Sequence, residues 1–417
     1  METANSFPLP LKRQWEITDQ LKEKRLHTIL PQVMAQCDID LWLILASECN
    51  EDPVYPTVVP CAASQASRMT CLIFTLEADG SLGAYSINKP NSLLARFYQQ
   101  LPYDTDNQWD TILQFLREKN PKKIGINISS VSALSSGLSH GLYQELWEKL
   151  DENLRSRLTD ADLLSTRWLE TRLPEELAMW SAVYEMTTQV MSQAFSRQVI
   201  TPGITTTQEV EDFCAQQFHE MGLPVCFHPT VNLQRAGESH SMYTGVIRHG
   251  DLLHYDAGIH YLGLSTDLQR LAYVLHPGET QAPAGIRRGF TRGHWFGSLV
   301  AEEFIAGRTG NQIFTQSLER AKKEGLDATL YTHPIGIHCH GAGPTIGLYD
   351  KQEPIPQRGD RVLYPNTGYA LEFNVASPVE EWDNQKVYFY LEETVYFTEN
   401  GSLHYLDDDW HKLILIG

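Results

Sequence analysis

The C-terminal half of the chain places acidic side chains and a histidine in segments that are otherwise rich in apolar residues. Asp256 and Asp267 lie in DLLHYDAGIHYLGLSTDLQRLAYV (251–274), a pattern typical of an antiparallel hairpin with a long or bulged connection. If the two carboxylates face each other across the hairpin, they form a buried acidic pair. Buried carboxylates are costly unless a cation or a metal ion accompanies them. The hairpin therefore indicates one wall of a cation site.

Two further apolar segments carry carboxylates. Glu372 lies in the predicted strand YALEFNV (369–375), and Glu392 and Glu393 are adjacent in VYFYLEETVYF (387–397). Successive side chains of a strand point to opposite faces, so we expect only one of the adjacent pair to face the same interior as Glu372. Alternation by itself leaves open which of the two does so.

A histidine-rich segment completes the candidate ligands. YTHPIGIHCHGAGPTIG (331–347) contains His333, His338 and His340 among glycines and prolines. Four carboxylates and one imidazole form a hard, oxygen-rich ligand set that suits two divalent ions, and Mn, Co, Fe and Zn are all compatible with it. Two ions about 3.5–4 Å apart can share a hydroxide and polarise a carbonyl, which is the chemistry of amide or ester hydrolysis. Each residue taken alone could have a purely structural role. The order and spacing of the whole set, however, favour a metal site.

Composition and charge exclude several other classes of protein. The 417 residues carry a net charge of -19, which argues against a nucleic-acid partner or an anionic membrane partner. The seven cysteines are scattered and contain no C-x-x-C motif, so a disulfide framework is not expected. No apolar run reaches the length of a membrane span, and METANSFPLPLKRQ at the N-terminus has no signal-peptide core. We expect a cytoplasmic protein.

The first 170 residues alternate between helical and strand-like patterns, which predicts an α/β domain. The predicted elements are a helix over 14–36, strands over 41–46, 69–76, 81–87 and 122–128, and helices over 109–119 and 140–168, with a Pro-rich loop over 48–60. A second domain is predicted from residue 171 to 417. Its first helix should begin at Pro174, which Glu175 and Glu176 follow, and a helix over 207–221 should end at Gly222.

Together, these motifs resemble the pita-bread metallopeptidases, a family that includes methionine aminopeptidase, aminopeptidase P, prolidase and the metal-free creatinase. The resemblance covers about 172–417. GDLLHYDAG (250–258) matches the family's G-D-x-x-x-x-D-x-G, and THPIGIHCH (332–340) is similar to its H-x-x-G-x-x-x-H. GLSTDLQR (263–270) resembles G-Y-x-S-D-x-T-R with Gln269 in place of Thr, and LEFN (371–374) has Phe373 in place of the Pro of I-E-P. LEETVYFTENG (391–401) resembles I-E-D-T-V-L-V-T-E-D-G and selects Glu392 over Glu393.

The resemblance implies a role for each of these residues. It makes five residues the metal ligands: Asp256, Asp267, His333, Glu372 and Glu392. Asp267 and Glu392 would bridge two divalent ions, of which Mn is the first expectation, and Glu372 would also act as general base. His240, upstream of the first Asp, and His340 would contact the substrate and stabilise the tetrahedral intermediate. His338 is either a supporting residue or plainly structural.

The implied function is a Xaa-Pro aminopeptidase or a prolidase-like dipeptidase that cuts the bond before proline. The N-terminal domain resembles the creatinase-type domain of aminopeptidase P and prolidase, which implies a homodimer, with ECNEDPVYP (48–56) as the segment that would shape a partner's site. The family's arginine two residues before the last metal Glu is Tyr390 here, which bears on the substrate. Two alternatives stay open: a creatinase-like hydrolase of a non-peptide C–N bond, and a non-catalytic relative that binds peptides or proteins.

Overall fold

A computed structural model describes residues 8–407 and 409–417. The chain forms two compact units: Leu9–Leu173 is the N-terminal unit, and Pro174–Gly417 with Pro8 is the C-terminal unit. Among the described residues, no helix combines the length and the apolar character that crossing a membrane requires.

The N-terminal unit is a six-stranded mixed sheet with helices, as an α/β domain should be. Its helices are α1 (Leu11–Gln36), α2 (Tyr55–Val58), α3 (Gln108–Lys119), α4 (His140–Lys149), α5 (Glu152–Arg155) and α6 (Asp162–Glu170). Its strands are β1 (Leu41–Ser47), β2 (Met69–Leu76), β3 (Leu82–Ile87), β4 (Gln99–Gln100), β5 (Ile124–Ile126) and β6 (Leu158–Asp160). The sheet order is β4-β3-β2-β1-β5-β6. The apolar faces of β1, β2 and β5 pack with α3 and α4 in one core cluster.

The prediction of one continuous helix over 140–168 is wrong. Leu150 is extended at the end of α4, and Asp151 starts the short helix α5 by accepting a hydrogen bond from the Leu154 N–H. The segment Leu158–Asp160 then pairs in parallel with β5. Residues Leu158–Asp160 therefore form an edge strand although their local pattern is helical, because the hydrogen bonds of the sheet and burial outweigh helix propensity.

The C-terminal unit is built on one large, mostly antiparallel sheet. Its helices are α7 (Pro174–Ala194), α8 (Thr207–Glu220), α9 (Ala284–Glu302) and α10 (Gly310–Lys323). Its strands are β7 (Thr230–Gln234), β8 (Leu252–Ala257), β9 (His260–Tyr261), β10 (Leu264–Ser265), β11 (Leu268–Val274), β12 (Asp327–Leu330), β13 (His333–Ile335), β14 (Thr367–Val379), β15 (Gln385–Phe397), β16 (Leu403–Tyr405) and β17 (Ile414–Ile416). The main path is β12-β14-β15-β11-β8-β7, with β13 on β14, β16 on β15 and β17 on β11.

Local signals account for the helices that begin this unit. Helix α7 begins at Pro174 with two acidic residues in its first turn, as predicted. Helix α8 has a full capping box, in which the Thr206 and Glu209 side chains each bond the other's backbone N–H. Its C-terminal end is followed by Gly222 at φ +69°, a left-handed position that suits glycine.

Helix α9 covers the back of the long hairpin β14–β15. Its glycines Gly289, Gly293 and Gly297 lie against Phe389, Leu391 and Phe373 of the two strands, within the main core cluster. Because a glycine has no Cβ, the helix backbone can approach the sheet closely. Phe373, Phe389 and Leu391 lie on one face of the hairpin, so Glu372 and Glu392 must lie on the other.

Replacing Gly289 by Ala is expected to destabilise the protein by about 1–3 kcal/mol, since the added methyl group overlaps the Phe389 ring. Equilibrium urea unfolding measures the change. Gly141→Ala in α4 is the matched control, because a Cβ there meets no atom within 4 Å; it should stabilise by up to about 1 kcal/mol through helix propensity. Equal effects of the two substitutions would contradict close packing at Gly289.

Candidate metal centre

Strand register places three of the predicted ligands in a single row across the sheet. Asp256 on β8 lies opposite Gln269 on β11, Gln269 lies opposite Glu392 on β15, and Glu392 lies opposite Glu372 on β14. Directly opposite residues share a face of the sheet. The row therefore runs Asp256, Gln269, Glu392, Glu372, with one neutral amide among three carboxylates.

The remaining two predicted ligands lie beside this row on the same face. Asp267 precedes Gln269 by two residues, just before β11 begins, so Asp256 and Asp267 are diagonal neighbours and not a directly opposed pair. Thr394 of β15 holds the backbone of Asp267, accepting from its N–H at 3.0 Å and donating to its carbonyl oxygen at 2.8 Å. His333 on β13 lies opposite Ala370, two residues before Glu372.

His333 presents an unprotonated nitrogen to the carboxylates. Its Nε2 lies 3.6 Å from Asp267 Oδ2, 3.6 Å from Glu392 Oε1 and 3.9 Å from Glu372 Oε2. Its Nδ1 lies 3.1 Å from the carbonyl oxygen of Pro334, so Nδ1–H donates there. Burial lowers the pKa of His333 to about 3, which keeps the ring neutral with the Nε2 lone pair facing the acids. This is the tautomer that ligates a metal through Nε2.

The donor set fits divalent ions, and its unsatisfied atoms are the clearest sign of this. Among the described residues, four buried polar atoms of the cluster have no hydrogen-bond partner: Asp256 Oδ1, Asp267 Oδ1, His333 Nε2 and Glu392 Oε1. Two sets of ligand atoms, each within 4.8 Å of one another, share Glu392; the sets are Asp256–Asp267–Glu392 and His333–Glu372–Glu392. Buried acceptors without donors are costly, and cations between them would remove that cost.

The electrostatics of the cluster agree with this fit. Burial, reinforced by neighbouring carboxylates, raises the pKa of Asp256, Glu372 and Glu392 well above the usual range. Burial also raises the pKa of Asp267 to about 7. Without positive charge, the cluster therefore holds protons that carboxylates normally release at neutral pH.

Glu393 points to the opposite face and has a structural partner there. It forms a buried ion pair with Arg270, and Tyr184 donates its hydroxyl hydrogen to Glu393 Oε2 at 2.6 Å. Arg270 also bonds Asp407 Oδ2 at 2.9 Å and the backbone carbonyl of Glu392 at 3.2 Å. Although burial opposes the charge, Glu393, Tyr184 and Asp407 raise the pKa of Arg270. The Arg270–Glu393 ion pair thus links β11 to β15 on the face of the sheet opposite the acidic row.

The other three histidines named in the sequence analysis, His340, His338 and His240, lie in three different environments. The His340 ring is 4.5 Å from that of His333 and lines a cavity of about 460 Å³ together with Glu372 and Arg358. His338 is partly buried, and its backbone carbonyl accepts from Gly336 N–H at 3.0 Å. His240 is exposed in the loop between β7 and β8, where the adjacent Ser241 lies 3.2 Å from the Tyr390 hydroxyl. The structure thus brings His340 against the ligand cluster.

Two residues that touch the cluster were not predicted from the sequence to do so. Gln269 donates from Nε2 to Glu372 Oε1 at 2.5 Å, and Cys339 donates from Sγ to Asp267 Oδ2 at 3.0 Å. The sequence signal for Gln269 was its replacement of the family's Thr. For Cys339, the signal was its position between His338 and His340.

Known proteins share both the sequence pattern and the fold of this chain. The model of metallopeptidase family M24 matches residues 179–399, just over half of the chain. No curated protein matches the chain. The fold is similar to an X-Pro aminopeptidase from Thermotoga maritima, with a TM-score of 0.66 and 15% identity, covering 92% of this chain and 100% of that one.

Two further solved structures share the fold. One is a Xaa-Pro dipeptidase from Bacillus anthracis, with a TM-score of 0.64 and 16% identity, covering 96% of this chain and 100% of that one. The other is the N-terminal domain of the FACT complex subunit SPT16 from chickpea (Cicer arietinum), with a TM-score of 0.59 and 10% identity, covering 95% of this chain and 99% of that one. These similarities confirm the predicted fold, an α/β creatinase-type N-terminal domain followed by an α+β pita-bread domain.

Proposed function

Because the chain belongs to metallopeptidase family M24, we propose that it is a dinuclear metal-dependent peptidase that hydrolyses the bond before proline. One observation carries the proposal: all five expected ligands meet on one face of the sheet, and four of their buried atoms have no hydrogen-bond partner among the described residues. The fold alone does not decide the activity, since the N-terminal domain of a FACT complex subunit shares it. The intact ligand set favours catalysis over the metal-free and binding-only alternatives.

Two ions would be held by Asp256, Asp267, His333, Glu372 and Glu392. Four carboxylates against one imidazole form a hard set, for which we propose Mn before Co, Zn or Fe. When bound, the ions would supply Lewis-acid activation of the attacking water and of the scissile carbonyl.

The chain's own groups would position the substrate and move protons. Gln269 donates a hydrogen bond to Oε1 of Glu372. The other oxygen, Oε2, would therefore take the proton of the attacking water and later return it to the leaving nitrogen. His340, at the wall of the cavity, would donate a hydrogen bond to the oxygen of the tetrahedral intermediate. We propose His240 as a second donor of this kind. A homodimer and a cytoplasmic location remain predictions.

Chelation tests the proposal directly. The purified protein is analysed for metals, dialysed against EDTA and reloaded separately with Mn, Co or Zn. Rates are measured at each stage on Xaa-Pro dipeptides, Xaa-Pro-Yaa tripeptides and matched peptides with Ala in place of Pro. We expect chelation to abolish hydrolysis, reloading to restore it, and cleavage before Pro to exceed cleavage before Ala.

Each alternative has its own outcome. Hydrolysis that survives exhaustive chelation would contradict the metal mechanism and favour a creatinase-like reaction. Full metal loading without cleavage of any peptide would favour a binding protein. Comparable dipeptide and tripeptide rates would indicate an aminopeptidase rather than a dipeptidase.

A further inference from the structure

Gln269 occupies the middle of the acidic row, although it is neutral and is not one of the predicted ligands. It lies between Asp256 and Glu392 on the same face of the sheet and is 4% exposed. Its side chain extends past Glu392 to Glu372, which lies on the strand beyond. A Thr side chain at this position would be shorter, because its hydroxyl is attached directly to Cβ.

His254 sets the orientation of the Gln269 amide. His254 precedes Asp256 by two residues on β8 and is buried, and its Nε2 lies 2.9 Å from Gln269 Oε1. The Nε2–H donates to Oε1, and the amide nitrogen must then face Glu372. The flipped amide would place two oxygen acceptors against each other at Glu372.

Packing fixes the histidine in turn. The His254 ring lies 5.3 Å from the Tyr390 ring, on the next row of the same sheet face. Tyr390 stands where the family has an arginine, and Gln269 stands where the family has a threonine. The two residues that differ from the family pattern, Tyr390 and Gln269, therefore both contact His254. His254 donates a hydrogen bond to Gln269, and Gln269 donates one to Glu372.

We propose that Gln269 and His254 are positioning residues that hold Glu372 Oε1, so that Glu372 Oε2 alone faces the ions and the attacking water. This inference rests on the proposed function. Gln269 acts through Glu372, and His254 acts through Gln269. The pair would govern how well Glu372 is oriented for proton transfer, and it would leave substrate binding largely unchanged.

The test uses Gln269→Leu and the shorter amide Gln269→Asn, with His254→Phe to preserve packing on Tyr390. Gln234→Leu is the matched control. Gln234 is equally buried in β7 of the same sheet, and its side-chain amide bonds both backbone groups of Tyr388. Each protein is loaded with Co(II), and its metal content, visible absorption spectrum, kcat and KM are measured.

We expect both Gln269 variants to lose roughly 10–100-fold in kcat, with KM changed less than about twofold. Their Co(II) spectra should shift while metal content stays at the parent level. His254→Phe should shift the spectrum in the same direction, and the double variant Gln269→Leu/His254→Phe should lose no more kcat than Gln269→Leu alone. Gln234→Leu should keep the parent spectrum and the parent kcat.

Three results would overturn the inference. The first is an unchanged Co(II) spectrum in both Gln269 variants. The second is loss of metal from these variants, which would make Gln269 a ligand or a binding requirement. The third is additive losses in the double variant, which would separate His254 from Gln269. Failure of the proposed function would show instead in the parent protein, as metal loading without hydrolysis, and the spectra would still decide the positioning role.

Discussion

Replacing Asp267 by Asn is expected to lower kcat/KM by on the order of 10³-fold or more. Asp267 belongs to two of the three groups of potential ligands that the described residues form, one with Asp256 and Glu392 and one with His333 and His340. Losing its charge would remove several kcal/mol of transition-state stabilisation, and each 1.36 kcal/mol corresponds to a factor of ten. Steady-state kinetics on a Xaa-Pro peptide and elemental analysis measure the effect, and metal content should fall with activity.

The metal-free Asp267→Asn protein is expected to be more stable than the metal-free parent at neutral pH and above. The pKa of Asp267 is raised to about 7, whereas an unfolded Asp titrates near 4, so the native state binds this proton more tightly. The parent's stability should therefore fall as pH rises from about 4 to about 7, and the Asn variant should lack this component. Urea unfolding in EDTA at several pH values measures the difference. An active, metal-loaded Asp267→Asn protein would contradict the assignment.

Replacing Glu393 by Gln is expected to cost about 3 kcal/mol of unfolding free energy while leaving metal content intact. Glu393 neutralises Arg270, which is 4% exposed, and breaking one side of a buried ion pair leaves a buried charge without its partner. The loss of unfolding free energy should lie at the low end of the range for broken buried ion pairs, since Asp407 still bonds Arg270. Denaturant unfolding and elemental analysis are the two measurements.

Glu392→Gln is the matched comparison, because it makes the same change one residue earlier. Glu392 lies in the acidic row and has no cationic side chain paired with it among the described residues, so its neutralisation should remove metal and activity without destabilising the metal-free protein. The two variants should thus separate stability from metal binding. If Glu393→Gln loses the metal and Glu392→Gln retains it, the assignment of the two faces is wrong.

Residue types and their order along the chain determined the candidate ligands and the family. Acidic residues in apolar strands, with a histidine between them, are by themselves enough to indicate buried cations. Strand alternation established that Glu392 and Glu393 face opposite ways, because a strand repeats every two residues. The start of α7 and both ends of α8 were also predictable, since capping depends on neighbouring residues.

The tertiary structure decided which residues meet. Register between strands more than 100 residues apart places Glu392 opposite Gln269, and no local pattern encodes that pairing. Pairing with β5 at the edge of the sheet also makes part of the predicted 140–168 helix a strand, β6. The bond from Gln269 to Glu372 and the ion pair of Glu393 with Arg270 depend on side chains that span neighbouring strands. Local periodicity gives the face on which a side chain lies, whereas its partner depends on long-range packing of the whole sheet.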